Sequence, residues 1–233
     1  MLRETLLLLL SLTRCQPRVP LSKGTHVTIT QAGPARVDGR QSGAVLLTCS
    51  AVGSPAPSVA WYKDSLFVSH QEQLEDAEQG SLGETVATLS LACLEEADAG
   101  QYECRAVAGR RQVSAVTQLH VLQEGPGLCR KSAVRPEISV WRPTVMVEEG
   151  RSVSLPCRVT NTEDSLVTWS TRGVAIQTGG RLTVSHTGAL HISEVGWEDM
   201  GQYTCTASNT AGSDVRQSFI YPLSPSLSAS KTE

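Results

Sequence analysis

Cysteine is the residue type with the most chemistry to offer in this chain. Seven occur in 233 residues: Cys15, Cys49, Cys93, Cys104, Cys129, Cys157 and Cys205. Thiolates can ligate zinc, attack as nucleophiles or form disulfides, and spacing decides among these. No Cys-x-x-Cys pair and no Cys/His cluster occurs, so a zinc site is not supported. The five histidines, His26, His70, His120, His186 and His191, are scattered without metal-ligand spacing. His191 stands between Leu190 and Ile192, as a surface residue of an alternating strand would. No Gly-rich phosphate loop joins a strand to a helix, and no Ser or Cys has an evident base nearby. Neither a metal, a cofactor nor catalysis is expected. Past Cys15 the cysteines number six. An even count suits three disulfides formed in an oxidising compartment.

The N-terminus supports that compartment. Arg3 precedes the unbroken run Leu6 to Leu10, the pattern of a secretory leader. The run is too short to span a bilayer, which takes about 20 apolar residues. Thr13 and Cys15 fill the small-residue positions for cleavage before Gln16, so residues 1–15 are read as the leader. The competing reading is a short buried strand or helix. No second apolar run follows and residues 223–233 are polar, so no membrane anchor is expected. The net charge of -3 gives no reason to expect nucleic acid or an anionic membrane as partner. Only 4% of residues are aromatic, so each Trp and Tyr needs a structural account.

The elements that position these residues come as a repeat. The first copy reads Leu47-Thr48-Cys49, then Val59-Ala60-Trp61, then Asp98-Ala99-Gly100-Gln101-Tyr102-Glu103-Cys104. The second reads Leu155-Pro156-Cys157, then Val167-Thr168-Trp169, then Asp199-Met200-Gly201-Gln202-Tyr203-Thr204-Cys205. Cys and Trp are twelve residues apart in both, and the two cysteines are 55 and 48 apart. In a two-sheet sandwich, a disulfide between the second and sixth strands crosses the core and the Trp packs on it. The Tyr two residues before the second Cys turns its hydroxyl back to the corner backbone. Arg181 opens the strand before Asp199 and is placed to pair with it, whereas Asp98 has no obvious matching Arg. The expected fold is all-β: two tandem immunoglobulin-like sandwiches resembling the intermediate set, over 24–123 and 137–222, joined by a linker over 124–136.

Cys93 and Cys129 fall outside the repeat. Both are expected at the C-terminal end of the first domain, so a bridge tying the linker to that base and limiting interdomain swing is predicted. Free thiols or an intermolecular disulfide are the alternatives. The linker carries Arg130, Lys131 and Arg135, which read as solvated charges.

Alternation along the last strand of each domain assigns outward positions. Val116, Gln118 and His120 face out in the first domain, and Val215, Gln217, Phe219 and Tyr221 in the second. Of these, Val116, His120, Val215, Phe219 and Tyr221 are the candidate partner-binding residues. An exposed apolar row of this kind marks a docking surface. A one-residue bulge would instead turn Phe219 and Tyr221 inward, and Asp214 and Arg216 facing the core would motivate one.

The second domain carries more than the general pattern. Leu155-Pro156-Cys157-Arg158-Val159, the run from Leu190 to Cys205 containing Trp197-Glu198-Asp199-Met200, and the ending Phe219-Ile220-Tyr221-Pro222 resemble the arthropod neural/ectodermal development factor family. The insulin-like androgenic gland hormone binding proteins look similar. This resemblance implies a secreted, non-enzymatic two-domain protein whose partner is an insulin-like peptide hormone, sequestered away from its receptor. The alternative is a cell-adhesion or axon-guidance protein making homophilic contacts on the same fold.

Overall fold

The computed structural model describes residues 24–68, 80–123, 129, 135–160 and 165–224. The expected leader over 1–15, His70, Arg130 and Lys131 of the linker, and the tail beyond Ser224 lie outside the described residues.

Among the described residues, eight strands build the first domain: β1 (His26–Gln31), β2 (Arg36–Arg40), β3 (Ala44–Ser54), β4 (Ser58–Lys63), β5 (Leu66–Phe67), β6 (Ser81–Ala92), β7 (Gly100–Ala108) and β8 (Arg111–Leu122). Nine build the second: β9 (Glu137–Glu148), β10 (Val153–Leu155), β11 (Cys157–Thr160), β12 (Leu166–Thr171), β13 (Val174–Ala175), β14 (Leu182–Val184), β15 (Leu190–Ile192), β16 (Gly201–Asn209) and β17 (Gly212–Leu223). Their sequences alternate as strands with one buried face must. In β7, Tyr102, Cys104, Ala106 and Ala108 are buried while the residues between them are not.

Each core centres on one disulfide and one Trp. Cys49 joins Cys104 and Cys157 joins Cys205, each with Cα atoms 6.4 Å apart. Burying an indole requires a partner for its N–H. Trp61 Nε1 donates to Ala87 O at 3.2 Å, and Trp169 Nε1 donates to Gly188 O at 2.9 Å. The Tyr corners match: Tyr102 donates to Asp98 O at 2.8 Å and Tyr203 to Asp199 O at 3.0 Å. Arg181 grips Asp199 with two nitrogens, at 2.9 and 3.2 Å. In the first domain the Asp98 carboxylate accepts from Glu95 N at 2.8 Å, and Lys63 donates to Ala97 O.

The domains are not merely strung on a linker. β9, the first strand of the second domain, pairs antiparallel with β6 of the first. The other edge of β9 is used twice. Its first half pairs with β11, with Cys157 opposite Trp141, and its second half pairs in parallel with β17, with Phe219 opposite Thr144. The path β1-β3-β6-β9-β17-β16-β12-β13 is therefore one sheet running through both domains. An uncovered strand edge presents unpaired N–H and C=O groups. In the second domain β14 covers the edge of β15, whereas in the first domain β9 takes the second edge of β6.

Packing reinforces this seam. Val140 of β9 joins the first core, while Ile138, Val145 and Val147 of the same strand join the second. Ala56 of the first domain packs into the second core. Arg142, only 4% exposed, donates Nε to Thr85 Oγ1 at 3.3 Å and Nη1 to Ser154 O at 2.7 Å, tying the domains by hydrogen bonds. Cys93 is joined to Cys129, with Cα atoms 5.7 Å apart, at the far end of β6.

Candidate protein-binding face

The residues with outward positions on β17 form the start of the site. Ser218, Ile220 and Pro222 point into the core, and Val215 and Phe219 are 45% and 40% exposed. Tyr221 is half-buried because Trp197 packs against it edge-on, with ring centroids 5.9 Å apart. The β16–β17 register runs without interruption from Gly201 opposite Ile220 to Asn209 opposite Gly212. The strand therefore has no bulge. The charges at Asp214 and Arg216 are accommodated differently: they pair at 2.6 Å, Asp214 accepts from Ile138 N at 2.8 Å, and the Arg216 guanidinium lies over the Trp141 ring.

The seam extends this row across the domain boundary. Phe219 lies opposite Thr144, Thr144 opposite Glu84, and Glu84 opposite Val52. One pleat further on, Tyr221 lies opposite Met146, and Met146 opposite Leu82. Cross-strand partners share a face, so these side chains form one outer surface built from both domains. Val52, Leu82, Glu84, Thr144 and Met146 line a shallow depression of about 190 Å³ there. Strands β6 and β9 have partners on both edges at this point. A ligand cannot add a strand and must engage side chains.

Val116 and His120 go elsewhere. Val116 is 44% exposed, but both residues lie on β8, in the five-stranded sheet β2-β8-β7-β4-β5. That sheet is the opposite layer of the first sandwich from β1-β3-β6. The last strands of the two domains thus do not share a surface. The shared sheet runs through β6, not β8, so alternation gave Val116 an outward position without giving it the same face as Phe219. Around Val116, Arg105 lies 3.9 Å from the Tyr62 ring centroid and pairs with Glu103 at 2.7 Å. The Arg105 hydrogen bond holds the Glu103 carboxyl below its ordinary range.

Sequence reasoning missed Val52, Leu82, Glu84, Thr144 and Met146. Alternation in β3, β6 and β9 signals that these side chains point outward. Their adjacency depends on pairing between domains, which leaves no local trace. Among the described residues, no group of three metal-ligating side chains occurs and no helix is long and apolar enough to cross a membrane.

Comparison with known proteins follows the same division. Residues 136–219 match the immunoglobulin I-set domain, and residues 27–107 match the immunoglobulin domain. Over 221 residues the chain is 26% identical to neural/ectodermal development factor IMP-L2 of Drosophila melanogaster, covering 89% of this chain and 81% of that protein. It is 24% identical to zwei Ig domain protein zig-4 of Caenorhabditis elegans, covering 76% and 72% respectively. A 33% match to hemicentin-2 of Mus musculus covers 84% of this chain but only 4% of that protein. The crystal structure of neural ectodermal development factor IMP-L2 superposes with a TM-score of 0.73 at 26% identity, over 86% of this chain and 96% of that one. Two immunoglobulin domains matched in one chain place this protein in the immunoglobulin superfamily, with a likeness to neural/ectodermal development factor IMP-L2 that runs through both domains in sequence and in three dimensions.

Proposed function

We propose that the chain is a secreted, non-enzymatic binding protein that sequesters an insulin-like peptide hormone and lowers signalling at its receptor. The observation that carries this reading is the outer face of the shared sheet, where Val52, Leu82, Met146, Phe219 and Tyr221 form an apolar surface built from both domains. Two properties suit it to capturing a protein. Exposed apolar side chains gain about 25 cal/mol for each Å² removed from water. The seam also holds them on a sheet fixed by hydrogen bonds, so little ordering is required on binding. The hormone class comes from the family resemblance. The three disulfides suit an extracellular compartment.

Binding of the purified chain to two-chain insulin-like peptides, measured by surface plasmon resonance, tests the proposal. A Kd in the micromolar range or tighter, about -8 kcal/mol or better, is expected. No binding at micromolar peptide, together with concentration-dependent self-association of the chain, would replace the hormone reading with the adhesion one.

A further inference from the structure

Among the described residues, Glu84 is the one ionisable side chain lining the depression on the shared sheet. Its cross-strand neighbours are Val52 and Thr144, and on its own strand it is flanked by the part-exposed Leu82 and the buried Val86. Among the described residues no hydrogen bond or ion pair engages it. A half-buried carboxylate set beside Val52, Leu82 and Thr144 and given no ion pair by the described residues is a poor contributor to folding. It does, however, constrain what can cover it.

Any ligand that buries Phe219, Met146 and Leu82 also strips water from Glu84. Desolvating a carboxylate without supplying a partner costs several kcal/mol. A ligand that brings a guanidinium or ammonium to the same spot offsets that cost, and one that brings a carboxylate adds repulsion. The position thus discriminates by charge where the surrounding apolar surface discriminates little. Because the sheet has no free edge here, the cation must arrive on a side chain set among apolar side chains, not on an added strand.

We infer that the ligand segment docked on the shared sheet presents an arginine or lysine, flanked by apolar side chains, to the Glu84 carboxylate. This inference rests on the reading that this face takes an insulin-like peptide. The test uses a two-chain insulin-like peptide, with its surface Arg and Lys residues replaced singly by Ala, against wild-type, Glu84→Gln and Glu84→Lys chains. Glu84→Gln should weaken wild-type peptide binding about tenfold or more, Glu84→Lys should weaken it further, and both should melt as the parent does. One peptide substitution should cost affinity against the wild-type chain and cost nothing further against Glu84→Gln. If the peptide binds all three chains equally, the Glu84 contact is refuted while the hormone reading stands. If the wild-type chain binds no insulin-like peptide, the hormone reading fails and this inference falls with it.

Discussion

Gly83 of β6 lies directly opposite Val145 of β9, across the seam that makes one sheet of two domains. A Cβ on Gly83 would come 2.9 Å from Thr144 O and 3.0 Å from Ala56 Cβ. The close approach of the domains thus depends on the missing side chain. Gly83→Val should destabilise the chain by about 1–3 kcal/mol, as overpacking does. Calorimetry reads the loss, and small-angle scattering should show a larger radius of gyration. Unchanged melting and unchanged scattering would show that the seam yields easily.

The two Asp positions before the Tyr corners should differ in worth. Asp199 is buried, accepts two bonds from Arg181 and also accepts from Gly196 N at 2.9 Å. Arg181 is itself about a third exposed, which trims the ion pair by screening. Asp199→Ala should therefore cost about 2 kcal/mol in urea unfolding. Asp98 caps a single backbone N–H at an exposed turn, so Asp98→Ala should cost about 1 kcal/mol or less. Equal losses would mean that Arg181 adds nothing.

Alkaline pH should weaken the fold through the corner tyrosines. Burial, then Asp98 and Asp64, push the Tyr102 phenol up to about 12. Burial and Asp199 push the Tyr203 phenol to about 12 as well. Unfolded tyrosines ionise near 10. Between about pH 10 and 12 the folded chain keeps protons that the unfolded chain has released, so stability is full below pH 10 and falls as pH rises to 12. Two pKa units correspond to up to about 3 kcal/mol per tyrosine. Denaturant titrations from pH 8 to 12 should show this decline, flattened in the Tyr102→Phe, Tyr203→Phe double variant.

The three disulfides should reduce in two groups. Cys49, Cys104, Cys157 and Cys205 are buried, whereas Cys93 is half-buried and Cys129 exposed. Exchange requires access for the attacking thiolate. Mild dithiothreitol followed by alkylation and peptide mapping should label Cys93 and Cys129 first, with both β-sandwiches still folded by circular dichroism. Simultaneous labelling of all six would contradict the ordering.

What the sequence made legible was local. Cys49, Trp61, Tyr102 and Cys104 recur with their partners at fixed spacing because each sandwich needs them at fixed places in its own core, and the same holds for Cys157, Trp169, Tyr203 and Cys205. The outward positions of Phe219 and Tyr221 followed from period-two alternation. Neither signal reports which strand lies next to which. Leu82 and Met146 are 64 residues apart in the chain and meet only because β9 takes the edge of β6. For the same reason alternation places Val116 and His120 outward on β8 without revealing that β8 lies in a different sheet from Phe219. Cys93 and Cys129 pointed to a tied junction, and the pairing of β6 with β9 and the hydrogen bonds of the buried Arg142 also join the two domains.

Phe219 is the residue on which the central claim turns, since it is exposed on β17 and adjoins the seam through Thr144. The direct measurement is the affinity of Phe219→Ala for an insulin-like peptide, taken alongside its melting temperature. A tenfold or greater loss of binding with melting unchanged is the predicted result, in keeping with an aromatic anchor at an interface. Binding equal to that of the parent chain, with or without a lower melting temperature, would contradict the claim that the shared sheet is the docking face.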